Sequence, residues 1–282
     1  MRSARRIWLC ADDYGIAPGV NSAIRDLILS GRLNATSVMT AAPSFAPEEA
    51  DALEMLNSGK KRAAIGLHVT LSAPFQPLSE DFAPLRAGAF LTHQQTMRAG
   101  MMRRLQPERL TIEIAMQVRA FIDAFGHPPD FLDGHQHIHL MPQVRDAFLK
   151  VVAATVPQAW VRQCGRARAG LRLRDRKAML LDLLSLRFRA KAKRLGLATN
   201  PAFAGAYDFN TQPDFAKTFP RFLAGMPDGG VIMCHPGHVD PELKQLDSLT
   251  DQREREFAYF KSDEFPRALA QHGVTLAQAD ES

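Results

Sequence analysis

Short apolar runs alternate along the chain with longer stretches in which apolar residues recur every three or four positions. Residues 7–10 form an apolar run that ends at two acids and a glycine, as a buried strand ends at a loop. Pro18 suits the first turn of a helix that carries Ile24, Leu27 and Ile28 to a terminating Gly31. Residues 34–40 and 63–69 read as two further strands, separated by a helix that Pro47 opens and Gly59 stops. Pro107 begins a helix with Leu110, Ile114, Val118, Phe121 and Phe125 on helical spacing, which Gly126 and the prolines beyond it end. Residues 131–133 form the next strand, a helix runs from Pro142 through Phe148 and Val151, and Trp160 and Val161 begin another strand. A helix over 215–223, a buried strand over 230–234, a helix over about 252–271 and a strand over 274–276 complete the order. Residues 72–105 carry several prolines without clean periodicity and are expected to run over one face. The alternation of strand and helix predicts an α/β fold with mostly parallel strands, closed or nearly closed.

Within that pattern, polar chemistry falls repeatedly at the ends of strands. Asp12 and Asp13 stand together after the first, where adjacent carboxylates repel unless a cation or a proton separates their roles, or where they cap the next helix. His68 ends another strand, as a ligand or as a hydrogen-bonded structural residue. Asp133 is followed by His135, His137 and His139 at alternate positions. An extended chain would turn all three imidazoles to one side, with Asp133 as an acceptor that orients one of them. A surface histidine tract is the plain alternative. His235, in a rigid His-Pro-Gly turn before His238, suits a general acid, a metal ligand or a packed imidazole. Carboxylates mixed with imidazoles favour Zn²⁺, Co²⁺ or Ni²⁺ over Ca²⁺, with Mg²⁺ retained. Cys10 and Cys234 lie near these loops without metal-ligand spacing and read as core residues.

Composition narrows the class. The chain has 282 residues, 46% of them apolar and 23% charged, which suits one globular domain over 1–282. Three widely spaced cysteines predict reduced thiols. Arg2, Arg5 and Arg6 precede an apolar run that meets Asp12 before reaching signal-peptide length, so a cytoplasmic location is expected. The net charge of +5 is uneven. Between Arg162 and Arg194, twelve Lys or Arg face only Asp175 and Asp182, a local net charge of +10 that leaves the rest of the chain at −5. This stretch is read as a basic, helical insertion over 162–200. Arg-rich ends around an apolar run allow membrane-surface contact through 172–194, or a helix that covers the barrel with a solvated basic rim. No nucleic acid is expected, because Trp160 and Phe188 are the only nearby aromatics for stacking.

The segments ADDYG, GLHVTL, DGHQHIHLMP and MCHPGH, in that order from Ala11 to His238, resemble the YdjC/ChbG-type carbohydrate deacetylase family. The resemblance implies a distorted (β/α) barrel, one divalent cation (Mg²⁺ in the family) and hydrolysis of N-acetyl groups from an amino sugar or oligosaccharide. By motif matching, Asp13, His68 and His135 would hold the metal and Asp12 would act as general base. The acid would be His235, with Asp133, His137, His139 and His238 as further acid or supporting candidates. One branch is associated with hopanoid biosynthesis, which keeps a lipid-linked amino sugar among the substrates; a second copy of the chain is a further partner to consider. Hydrolysis of an ester or phosphoester, and a non-catalytic metal- or sugar-binding barrel, are the alternative readings.

Overall fold

A computed structural model describes residues 4–167, 176–208 and 213–279. The chain runs through β1 (Arg5–Tyr14), α1 (Pro18–Leu29), β2 (Ala35–Val38), α2 (Pro47–Asn57) and β3 (Ala64–Val69). A two-residue hairpin, β4 (Leu85–Arg86) and β5 (Ala89–Phe90), leads to α3 (His93–Met101), α4 (Pro107–Phe125), β6 (Phe131–Gly134) and a 3-10 turn (His135–Leu140). Then come α5 (Val144–Thr155), β7 (Trp160–Val161), α6 (Arg176–Arg194), β8 (Phe203–Ala204), α7 (Phe215–Leu223) and β9 (Gly230–Cys234). The chain ends with α8 (Pro241–Leu246), α9 (Asp251–Lys261), α10 (Glu264–Gln271) and β10 (Val274–Leu276). Proline occupies the first turn of α1, α2, α4 and α8, where its missing N–H costs nothing. Gly126 closes α4 in the left-handed region at φ 73°.

The strands lie in the order β7-β6-β3-β2-β1-β9-β8, every pairing parallel, with β10 added along the first half of β1. The sheet curls until its two edges meet. Val161 bridges to Thr199, the Gln163 amide donates to Asn200 Oδ1 (2.8 Å), and Asn200 Nδ2 returns a bond to the Gln163 carbonyl (3.0 Å). The expected distorted barrel is therefore present. All strand ends that bear polar chemistry point to one rim, the end where parallel α/β barrels carry their sites.

Three stretches differ from the sequence expectation. Residues 72–105 hold the hairpin and α3, with a Thr92/Gln95 capping box at the start of the helix. Buried Glu113 of α4 anchors this excursion by accepting from the Leu78 and Ser79 amides and the Ser79 hydroxyl. The helix expected over about 252–271 is two helices, because Ser262 leaves the helical path between α9 and α10. Within the basic stretch, Arg168, Arg172, Arg174 and Asp175 lie outside the described residues. Its first member, Arg162, is fully buried beside β7 instead of standing in a solvated segment.

The junction at Asn200 generates a test. Its amide satisfies Gln163 N, Gln163 O and Ala202 O inside the protein. Asn200→Ala should therefore lose about 2–4 kcal/mol in urea unfolding, since a buried backbone group left without a partner costs about 1–3 kcal/mol. An unchanged midpoint would mean that another contact holds the edges together.

Candidate active site

In a regular strand two adjacent residues face opposite sides, yet Asp12 and Asp13 both reach the rim. The register between β1 and β2 shifts between Ala11 and Tyr14, and Asp13 adopts φ 70°. A non-glycine residue held there costs on the order of 1–3 kcal/mol, a strain that functional sites retain. Gly15, at φ 99°, then carries the chain into α1.

Asp13 Oδ1 lies 2.9 Å from His135 Nδ1 and 3.3 Å from His68 Nε2, all three residues buried. One donor atom from each lies within 4.8 Å of the others. Ligands bound at about 2.1 Å sit roughly 3.0–3.4 Å apart around an octahedral or tetrahedral cation, so these separations fit one ion. The support around the triad fits as well: His68 turns its other nitrogen, Nδ1, to Asp133 Oδ1 at 2.5 Å, the carboxylate–imidazole arrangement that metal-binding histidines use. Burial opposes a proton on His68, but Asp133 and Asp12 outweigh it and lift the imidazole to about 10. A cation bound there would have to displace that proton, so binding would release it to solvent. Burial likewise works against an ionised Asp13, while His135 and Arg253 hold it well below the usual carboxylate range.

Asp12 belongs to a second cluster. Arg162 grips it with two nitrogens, Nη1 to Oδ2 at 2.7 Å and Nη2 to Oδ1 at 2.8 Å, and reaches Asp133 Oδ2 at 2.6 Å. Burial would raise Asp12, yet the guanidinium and His68 keep it ionised. Ser37 Oγ adds a bond to Asp12 Oδ1 at 3.1 Å. Cys10, Asp12 and Asp133 also lie close enough to chelate. The guanidinium stands among them, 2.9 Å from Cys10 Sγ, and supplies the positive charge a cation would bring. The repulsion expected between the paired acids is thus relieved twice, because Arg253 Nη2 holds Asp13 Oδ2 at 2.7 Å and Asp247 Oδ2 at 2.6 Å.

The His-Pro-Gly turn after β9 is fixed from α9. Glu256 accepts from the His235 amide at 2.6 Å and from the Tyr207 hydroxyl at 2.5 Å. Burial lifts this carboxyl to about 7, against the pull of those two donors. Burial also lowers the basicity of His235, although Asp13 pulls the other way.

The three histidines after Asp133 do not converge. Instead of an extended strand, residues 135–140 form a 3-10 turn in which Gln136 and His137 take φ 55° and 58°. Only His135 faces the Asp13 cluster. His137 turns toward Cys164 Sγ (3.5 Å) and the Phe203 ring, and burial drives its basicity well down. His139 enters the core, where it bonds the Arg162 carbonyl at 2.8 Å and packs against Phe148 and Phe188. Asp133 orients His68 from the neighbouring strand and none of the three. His238 faces outward against Phe257.

Arg162, Arg253, Ser37, Glu256 and Tyr207 were not singled out from the sequence as site residues. Arg162 carried a usable signal, since it directly follows the short strand at Trp160 and Val161, as the other strand-end groups do. Arg253 and Glu256 sit one turn apart on α9, in a stretch that reads as an ordinary charged helix.

Comparison with known proteins adds relatives. A chitooligosaccharide deacetylase from Klebsiella pneumoniae (strain 342) is 27% identical over 252 residues, covering 85% of this chain and 88% of that protein. The Escherichia fergusonii protein of the same name is 26% identical over the same shares. Among solved structures, an Enterococcus faecalis V583 protein provisionally named for cellobiose-phosphate cleavage matches with a TM-score of 0.76 at 19% identity, over 99% of both chains. A CE4 esterase from Streptococcus mutans matches with a TM-score of 0.52 at 12% identity, over 97% of this chain and 85% of that one, which is a likeness of fold. The model of YdjC-like proteins matches residues 6–271, most of the chain and all four strand-end motifs, and this chain therefore belongs to the YdjC-like protein family.

Proposed function

We propose that this protein is a metal-dependent carbohydrate deacetylase that hydrolyses the N-acetyl group of an amino sugar and releases acetate. The observation that carries the reading is the convergence of Asp13, His68 and His135 beside an ionised Asp12 whose two oxygens are fixed by Arg162. The names of the curated relatives supply the substrate class. In this reading Asp13, His68 and His135 hold one divalent cation: Mg²⁺ by family resemblance, or Zn²⁺, Co²⁺ or Ni²⁺ by the donor set. Such an ion, when bound, polarises an acetamide carbonyl and acidifies a water.

The protein's own groups do the rest. Asp12 is the base that takes the proton of the attacking water, and Arg162 holds its carboxylate in one orientation throughout. Asp133 keeps the His68 ring aimed at the triad. His235 is the group that delivers a proton to the departing amine; it takes that proton up from solvent before the C–N bond breaks, and Asp12 returns the proton of the attacking water to solvent after acetate leaves. His139 is removed from this role by its burial behind the turn.

Acetate release from N-acetylated chitooligosaccharides, with protein loaded separately with each of the four metals, tests the reading. Asp12→Asn should keep its metal and lose about 10²–10⁴-fold in kcat, the usual contribution of one general base. His68→Ala should lose metal and turnover together. Phosphate instead of acetate as the product, or full turnover in Asp12→Asn, would overturn it. Asp133→Asn should weaken metal affinity in calorimetry by about 10–100-fold, as loss of a group that orients a ligand does; unchanged affinity would deny Asp133 that role.

A further inference from the structure

Helix α6 is apolar on two sides. Its inner side seats Leu184, Phe188 and Ala192 in the core, with the Ser185 hydroxyl accepting from the Cys164 amide at 3.0 Å. Successive helical residues turn by about 100°, which places Met179, Leu183, Leu186 and Ala190 within an arc of about 60° on the opposite, solvent side. Met179, Leu183 and Leu186 are 43–55% exposed there, and Leu180, on the flank of the helix, is 40% exposed. The stripe from Met179 to Ala190 is about 16 Å long at 1.5 Å per residue. A water-facing helix surface normally carries polar residues at these positions.

Cations bracket the stripe. Arg187 and Arg189 flank it on opposite edges, and Lys193 and Arg194 continue those edges one turn beyond Ala190, all exposed. The ion pairs of this region use other residues: Asp182, the helix's own acid, is taken by Arg166 at 2.7 Å, and Lys191 by Asp146 at 2.7 Å. Among the described residues no acid answers the four outer cations.

We infer that this face of α6 docks on an anionic lipid bilayer, with the aliphatic stripe sunk into the headgroup boundary and the four cations at the level of the phosphates. An aliphatic stripe between basic edges is the pattern of helices that lie in the interface plane. A second copy of the chain would set four cations against four, and a nucleic acid would need aromatic platforms that this face lacks. The inner side of the same helix packs on His139, so docking would bring the bilayer within a helix diameter, about 10–12 Å, of the turn that presents His135.

Co-sedimentation of the full chain with vesicles of phosphatidylcholine, and of phosphatidylcholine mixed with phosphatidylglycerol, tests the inference without relying on the deacetylase reading. Binding should require the anionic lipid and weaken as salt rises. Leu183→Glu with Leu186→Glu should reduce it at least about tenfold while thermal melting stays as in the parent, because apolar burial and charge attraction are both removed. Arg187→Glu with Lys193→Glu should reduce it by about fivefold or more for each cation lost. Equal binding to both vesicle types, or binding untouched in both variants, would overturn the inference. So would a parent dimer that Leu183→Glu with Leu186→Glu dissociates, since the stripe would then be a subunit contact.

Discussion

The centre of this protein depends on one buried guanidinium. Arg162 joins Asp12 of β1 to Asp133 of β6 from the end of β7, in a space that water does not reach. Three strands that are not all neighbours are tied at their C-terminal ends by the same planar group. Two carboxylates and a thiol could not be buried together without it, and breaking such a buried pair typically costs roughly 3–5 kcal/mol. The cost of desolvation is met by geometry: a forked donor has two nitrogens to give to one carboxylate while one of them stays in ion-pair contact with the other.

From that contact the division of labour follows outward. Asp133, held on one oxygen by Arg162, uses the other to fix His68. Asp13, next to Asp12 in sequence, is kept separate from it by its own cation, Arg253. Asp12 is thereby held by Arg162 beside the cluster that Asp13 forms with His68 and His135. The bulge at Asp13 and the left-handed residues at 136 and 137 are backbone departures at the same rim, where strain is kept because it aims side chains that a regular strand would turn away.

The helices behind the rim act as supports. Gln117 of α4 binds both backbone groups of Thr70, two residues beyond His68, and Glu256 of α9 binds the backbone of His235. Each holds a strand-end loop by its main chain, so neither supporting helix uses the imidazole of that loop for its grip. Closure of the sheet at Asn200 has the same effect on the segment that carries Arg162.

By itself the sequence determined most of the order of strands and helices, because hydrophobic spacing and proline and glycine punctuation are local; the short elements β4, β5, α3, β8 and α8 are too brief to leave such a pattern. It also placed Asp12, Asp13, His68, His135 and His235 at strand ends, and parallel strands then had to bring those ends to one rim. What it could not decide was direction. The alternate histidines at 135, 137 and 139 share a face only if the chain is extended, and packing of the 3-10 turn against Phe148, Phe188 and Phe203 sent two of them elsewhere. Arg162 counted as one more charge in a basic run, and Arg253 as one more on a polar helix. Their partners lie 150 and 240 residues away, at Asp12 and Asp13. A contact of that separation exists only after the barrel has closed, since charge pairing across a fold is set by three-dimensional distance and leaves no periodicity in the chain.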